Sequence, residues 1–196
     1  MSARAPLSIR IVGPRLELRP PRAGDLAALR AATRDNLEHL RPWSPAPAPG
    51  VDPLSITGLA GTISRARRDW VADRQYVLLA FARPAVDVIV GRIALTVTRG
   101  AFQNAYVGYW VDGRAQGHGF AAEMLSLTAD LAFGPLGLHR LQAAVMPRNT
   151  RSLRVVDKVG FRREGLAERY LQIAGAWEDH ALFALTREEW QAARGS

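Results

Sequence analysis

Apolar and polar positions alternate through "RLELRPP" (residues 15–21), which predicts a strand stopped by Pro20 and Pro21. The period then changes. In "RAGDLAALRAATRDNLEHL" the apolar positions Leu26, Leu29 and Leu37, set among alanines, predict a helix. A Pro-rich stretch, "RPWSPAPAPG" (residues 41–50), reads as a loop within the domain. A second helix is expected after it, capped by Asp52 and running to about Asp73. Three strand-like runs follow, "YVLLAFA", "VIVGRIALTVT" and "NAYVGYWVD", separated by short turn signals. From His118 to Phe133 the residues Phe120, Met124, Leu127, Thr128 and Leu131 share one face and predict a third helix. "HRLQAAVM" reads as a strand. "NTRSLRVVDKVG" reads as a short helix with Asn149 as N-cap and Gly160 just past its end. The last two strands, "FRREGLAERYLQIAGAW" and "EDHALFALT", turn at Gly175. The order β-α-α-β-β-β-α-β-α-β-β predicts one α/β domain over residues 1–196. Its sheet is mixed and mostly antiparallel, with about seven strands and about four helices.

Composition narrows the class. With 196 residues and 48% hydrophobic content the chain can bury a core of its own. No apolar run approaches the roughly 20 residues that span a bilayer. The start, "MSARAPLSIRIVGPR", has no uninterrupted apolar stretch, so no signal peptide is expected. Without cysteine there is no disulfide, thiolate metal site or Cys nucleophile, which fits a cytoplasmic protein. The four histidines lack metal-ligand spacing, so no metal is expected. The net charge is +8, and Lys158 is the one lysine, so the positive charge is almost all arginine. Such a balance suits either solvated faces or an anionic ligand. No aromatic–basic motif points to nucleic acid.

The stretch "RAQGHGF" (residues 114–120) leaves a strand and opens a helix. Free N–H groups at a helix N-terminus attract anions, and Gly117 and Gly119 let the backbone approach one closely. A plain strand–helix turn uses glycines in the same way. A Walker loop is excluded because Gly119 is followed by Phe120 rather than Lys. Gly117-x-Gly119-x-x-Ala122 fits a dinucleotide fingerprint, but "GLHRLQAAVMPRN" lacks the acidic residue that should follow.

The same loop resembles the [Q/R]-x-x-G-x-[G/A] motif of the GNAT acyltransferase superfamily, here Arg114 to Gly119. "VMPRNTRSLRVVDKVGF" is similar to that superfamily's N-x-x-S landmark with its following G-F, here Asn149, Ser152, Gly160 and Phe161. "NLEHLRPW" and "EGLAERYLQIAGAWEDHALFALTREEW" resemble the RimJ/RimL-like branch, whose members acetylate ribosomal-protein N-termini, and the resemblance runs from about Arg15 to Trp190. It implies acetyl-CoA as cosubstrate and direct attack by an amine in a ternary complex. The implied cofactor contacts are Trp110, Val111, Arg114, Gln116, Gly117, His118, Gly119, Phe120, Ala121, Asn149 and Ser152. Trp110 fits core packing equally, and Asn149 fits a helix cap.

The resemblance also places Ser152 near the sulfur, where it is expected to protonate the leaving thiolate, with Tyr170 as an alternative acid. For the base the candidates are Glu168, Glu178 and Asp179, with Glu123 behind them, and each also fits a surface charge. Trp43, Trp177 and Asp179 are expected at the acceptor, and His180 in "WEDH" is read as structural. The acceptor expected is a protein N-terminal α-amine, possibly of a ribosomal protein, acted on by a monomer or homodimer. A small amine acceptor (polyamine, amino acid or aminoglycoside) and a non-catalytic acyl-CoA-binding module remain the other readings.

Overall fold

In the computed structural model, which describes residues 4–195, the chain folds around one sheet. The strands are β1 (Ile11–Val12), β2 (Leu16–Arg19), β3 (Gln75–Ala82), β4 (Ile89–Thr98), β5 (Asn104–Val111), β6 (Arg140–Val145), β7 (Arg162–Ile173) and β8 (Ala176–Thr186). The helices are α1 (Leu26–Leu40), α2 (Ile56–Val71), α3 (Phe120–Phe133), α4 (Thr150–Val159) and α5 (Arg187–Arg194). The sheet order is β1-β2-β3-β4-β5-β6-β8-β7. Every neighbouring pair is antiparallel except β5 with β6.

The expected α/β class and the mixed sheet hold, with one strand and one helix more than the periodicity showed. β1 is two residues long, too short for any period to show. α5 follows β8 without a break. Its start is a capping box: Thr186 Oγ1 accepts from Glu189 N–H at 3.3 Å, and Glu189 Oε2 accepts from Thr186 N–H at 2.7 Å. The sequence reading missed it because "TREE" is fused to the end of a strand. The cap of α2 also differs. Ser55 Oγ accepts from Gly58 N–H at 3.3 Å, while Asp52 Oδ1 closes a tight turn by accepting from Leu54 N–H at 2.8 Å. That helix ends at Val71, before Asp73. α3 starts at Phe120 because Gly119, at φ +74°, is still left-handed.

Two apolar layers fix the sheet. On one side Leu18, Leu78, Ile93 and Leu95 pack with Met124 and Leu125 of α3, Val156 of α4 and Trp190 of α5. On the other, Leu79, Phe81 and Ile89 pack with Leu29 of α1 and Ile63 of α2. The indole of Trp110 packs on this second layer.

Candidate active site

The parallel pair β5–β6 is joined over three residues only: Asn104↔Arg140, Ala105↔Leu141 and Tyr106↔Gln142. Beyond them the two strands run on without pairing to each other, to Val111 and Val145, and a wedge opens. A cavity of about 240 Å³ lies in it, walled by both strands, by Asn149 and Ser152 of the α4 turn, and by His180. Strand chemistry decides which backbone groups face the gap. Asp112 N–H donates to Val90 O of the β4 side at 2.9 Å. Backbone groups alternate sides along a strand, so Trp110 and Gly108 also turn theirs to β4. Val111 and Tyr109 turn theirs to the wedge, with the carbonyl of Val107, whose N–H closes the last β5–β6 pair. The expected Trp110–Val111 pair is thus split: Val111 offers an open amide, while Trp110 has its backbone in the sheet and its half-buried ring against the second apolar layer.

At the mouth of the wedge, Gly117 (φ +79°) and Gly119 (φ +74°) hold a left-handed loop that side chains resist. Among the described residues no acceptor meets the amides of Gly117, His118, Gly119, Phe120, Ala121 and Ala122. Six orphan donors at the positive end of α3 suit a pyrophosphate. The loop is braced from outside. Asp112 accepts from Arg114 N (2.8 Å), Arg114 Nη2 (2.9 Å) and Asn36 Nδ2 (3.1 Å). Asn36 Oδ1 in turn accepts from Gly113 N–H at 2.8 Å. Arg114 also pairs with Asp35 at 3.2 Å, so its guanidinium is a strut toward α1. Gln116 bonds His39 Nε2 at 2.7 Å and accepts from Arg151 Nη1. His118 Nδ1 donates to Gln116 O at 2.9 Å.

Glu123 latches α3 to β2. Its carboxylate accepts from Arg15 N (2.8 Å), Leu16 N (2.9 Å) and Arg15 Nε (2.8 Å). Arg15 then reaches His118 O and lies over the Phe120 ring. Arg15 and Arg151 are therefore cations beside the loop that sequence reasoning missed. Both arrive through contacts distant in sequence.

The hydrogen bonds from Arg114, with help from Asn36, hold the buried Asp112 carboxyl down at about 2 against its ordinary 3.8. The depressed value makes the folded state bind the proton more weakly than the unfolded one. This contribution of roughly 2 kcal/mol is present above pH 4 and lost as pH falls toward 2. Asp112→Asn is expected to be less stable at pH 7 by about that amount, with the gap to the unsubstituted protein closing near pH 2. Urea melts at the two pH values measure it.

Asn149 and Ser152 sit together as expected. Asn149 caps α4, its Oδ1 accepting from Ser152 N–H at 3.1 Å. Ser152 Oγ lies 2.9 Å from the Tyr109 hydroxyl. Burial pushes the Tyr109 phenol up to about 12, outweighing the opposing effect of the Ser152 bond. Tyr109 therefore remains protonated at neutral pH. Sequence reasoning did not single it out, although its strand was the expected cofactor strand.

The remaining wall comes from the residue 41–45 loop and the β7–β8 hairpin. Ala174 N–H donates to Ser44 O at 3.0 Å. Arg148 donates to Pro42 O (3.2 Å) and Glu178 Oε1 (2.8 Å), with its guanidinium 4.9 Å from the Trp43 ring. Trp43 lines the cavity; Trp177 is exposed at the hairpin end. Asp179 Oδ1 accepts from Arg169 N–H at 2.8 Å and so fastens the bulge between Ala167 and Leu171. Glu168 and Tyr170 lie on that bulge, exposed and outside the cavity wall, and the Tyr170 ring rests 5.5 Å from the His180 ring. Of the four carboxylates weighed as bases, three have bonded roles: Glu123 with Arg15, Glu178 with Arg148, and Asp179 with the bulge.

The family described as the acetyltransferase (GNAT) domain matches residues 15–162. The probable N-acetyltransferase YjcK of Bacillus subtilis is 37% identical over 135 residues, 68% of this chain and 74% of that protein. The [ribosomal protein uS5]-alanine N-acetyltransferase of Escherichia coli is 39% identical over 98 residues, half of each chain. Among solved structures, the Mycobacterium smegmatis RimJ in complex with CoA-disulfide superposes with a TM-score of 0.81 at 34% identity, covering 93% of this chain and 94% of that one. The ribosomal-protein-S5-alanine acetyltransferase of Vibrio fischeri gives a TM-score of 0.85 at 27% identity, covering 93% and 99%. The orphan amides of the glycine loop and the unpaired edge of β5 fit a CoA pyrophosphate and its pantetheine arm. The chain belongs to the GNAT acetyltransferase family: it is an N-acetyltransferase with acetyl-CoA as its cosubstrate.

Proposed function

We propose that the acceptor is the α-amine of a protein N-terminus, of the ribosomal-protein kind, modified in the cytoplasm. The observation that carries this reading is the character of the acceptor side. Tyr106, Leu166, Tyr170, Leu171 and Trp177 are exposed there or beside it. The neighbouring carboxylates Glu178 and Asp179 are already bonded. A polyamine or aminoglycoside needs free carboxylates, whereas a chain end offers one amine followed by backbone and side chains that such a surface suits. The names of the uS5-alanine and S5-alanine relatives point the same way. An α-amine also has an ordinary pKa of about 7.7–8.0, against about 10.4 for lysine, so much of it is already neutral near pH 8.

In this reading bound acetyl-CoA supplies an activated acyl carbon and a thiolate leaving group. The loop from Gly117 to Ala122 holds the pyrophosphate, with Arg15 and Arg151 adding positive charge beside it. Val111 and Tyr109 offer backbone groups to the pantetheine arm along the open strand edge. Ser152 gives its hydroxyl proton to the departing sulfur, and Tyr109 fixes that hydroxyl and returns a proton to it. Trp43 and the hairpin exclude water around the amine, which favours transfer over hydrolysis.

The test is acetylation of peptides with free N-termini, beside spermidine, kanamycin and an N-terminally blocked lysine peptide, read by mass spectrometry. A single acetyl group on the α-amine of the free peptides is expected. Acetylation confined to the small amines, or to the lysine side chain, overturns the reading.

A further inference from the structure

We infer that His180 is the catalytic base, taking the proton from the attacking amine on its Nε2. The inference rests on the N-acetyltransfer reading above and adds the group that reading lacks. His180 sits on β8 with 4% of its surface exposed, and it lines the cavity together with Asn149 and Ser152. Its Nδ1 lies 3.0 Å from Glu178 O. A carbonyl oxygen only accepts, so Nδ1 carries the hydrogen, and in the neutral ring Nε2 keeps the lone pair. Among the described residues Nε2 has no hydrogen-bond partner. Nor is it sealed away, because among the described residues the one fully buried side-chain polar atom without a partner is Asn104 Oδ1. An imidazole nitrogen that is unpaired, unsealed and on a cavity wall opens into that cavity.

The surroundings lock the ring. Its sheet partner on β7 is Ala167, and the bulge that follows lays Tyr170 over the imidazole at 58°. Around it stand Tyr170 and Glu168 of β7, Glu178 and Asp179 of β8, Arg148 before α4, and Tyr109 of β5. Arg148 and Glu178 neutralise one another, and Asp179 is held at the Arg169 amide. Glu168 lies outside the cavity wall. His180 is thus the one ring in the wall with a free basic nitrogen among the described residues.

The step balances. The amine nitrogen forms its bond to the acyl carbon and the carbon–sulfur bond breaks. One amine proton passes to His180 Nε2, and the Ser152 hydroxyl proton passes to sulfur. The His180 proton then leaves to solvent as Tyr109 and solvent restore Ser152. An acceptor that arrives as ammonium sheds its extra proton to solvent first.

The experiment is turnover by His180→Gln and His180→Ala with whichever amine the unsubstituted enzyme acetylates. Glutamine keeps a donor for Glu178 O but has no base. A fall in kcat of about 10²-fold or more is expected in both, with the thermal shift by acetyl-CoA preserved. Imidazoles of graded basicity added to His180→Ala are expected to restore turnover in proportion to their basicity. Near-normal turnover in His180→Gln, or rescue indifferent to imidazole basicity, overturns the inference. If the unsubstituted enzyme acetylates only small amines, the acceptor reading fails, and the His180 comparison still stands on that substrate.

Discussion

Ser152→Ala is expected to lower kcat about 10²-fold while leaving the KM for acetyl-CoA within a factor of a few. Positioned acids contribute roughly 10²–10⁴-fold. The lower end applies because an ordinary thiol, with a pKa of about 8.5, already leaves tolerably well as thiolate. Alanine at residue 152 keeps the helix and the Asn149 cap, because the cap bonds the backbone amide of residue 152 rather than its hydroxyl. The loss therefore falls on chemistry. Tyr109→Phe removes the partner 2.9 Å from that hydroxyl and is expected to cost less, about tenfold. If the two act as one unit, the double variant is hardly slower than Ser152→Ala alone. Multiplying losses in the double variant would mean that Tyr109 has a separate role. Single-turnover acetylation under saturating acetyl-CoA separates these outcomes.

The second large effect belongs to the glycine loop. Gly119→Ala is expected to raise the KM for acetyl-CoA tenfold or more with a smaller change in kcat. At φ +74° a side chain costs about 1–2 kcal/mol. A Cβ there would stand 3.4 Å from Arg15 Nη2, an ordinary contact with the end of a flexible side chain, so the cost lies in the backbone. The loop relieves this by turning away, and orphan amides lose their common aim. A loss of 1.4 kcal/mol in binding is tenfold. Gly117→Ala checks the backbone cause. Its Cβ would meet nothing within 4 Å, and its φ of +79° carries the same strain. A comparable rise in KM is expected. Isothermal titration with CoA reads both.

What the sequence revealed of this site follows from distance along the chain. Gly117, Gly119, Asn149 and Ser152 were legible because their work is local: a left-handed turn, an orphan helix start, a cap bonding three residues on. The strand and helix order was legible for the same reason, since periodicity is a local property. Tyr109 meets Ser152 across 43 residues, and Arg15 meets Glu123 across 108. No spacing rule foresees such pairs. Glu123 had the composition of a base and proved to be a latch because β2 lies beside α3. His180 had the composition of a structural histidine, and one of its nitrogens is structural. The other opens into a wedge that exists only because β5 and β6 part after three pairs. The widening of a sheet leaves no periodic trace in either strand.

The most direct test of the central claim is the thermal shift of the protein with acetyl-CoA, CoA, NADH and NADPH in parallel. Ligand at about 100 times its dissociation constant adds roughly 2.7 kcal/mol. At about 2–4 °C per kcal/mol for a chain of this size, that is a rise of several degrees. The account predicts such a rise with acetyl-CoA and CoA and none with the nicotinamides. No rise with either CoA species, or one with a nicotinamide alone, would contradict it.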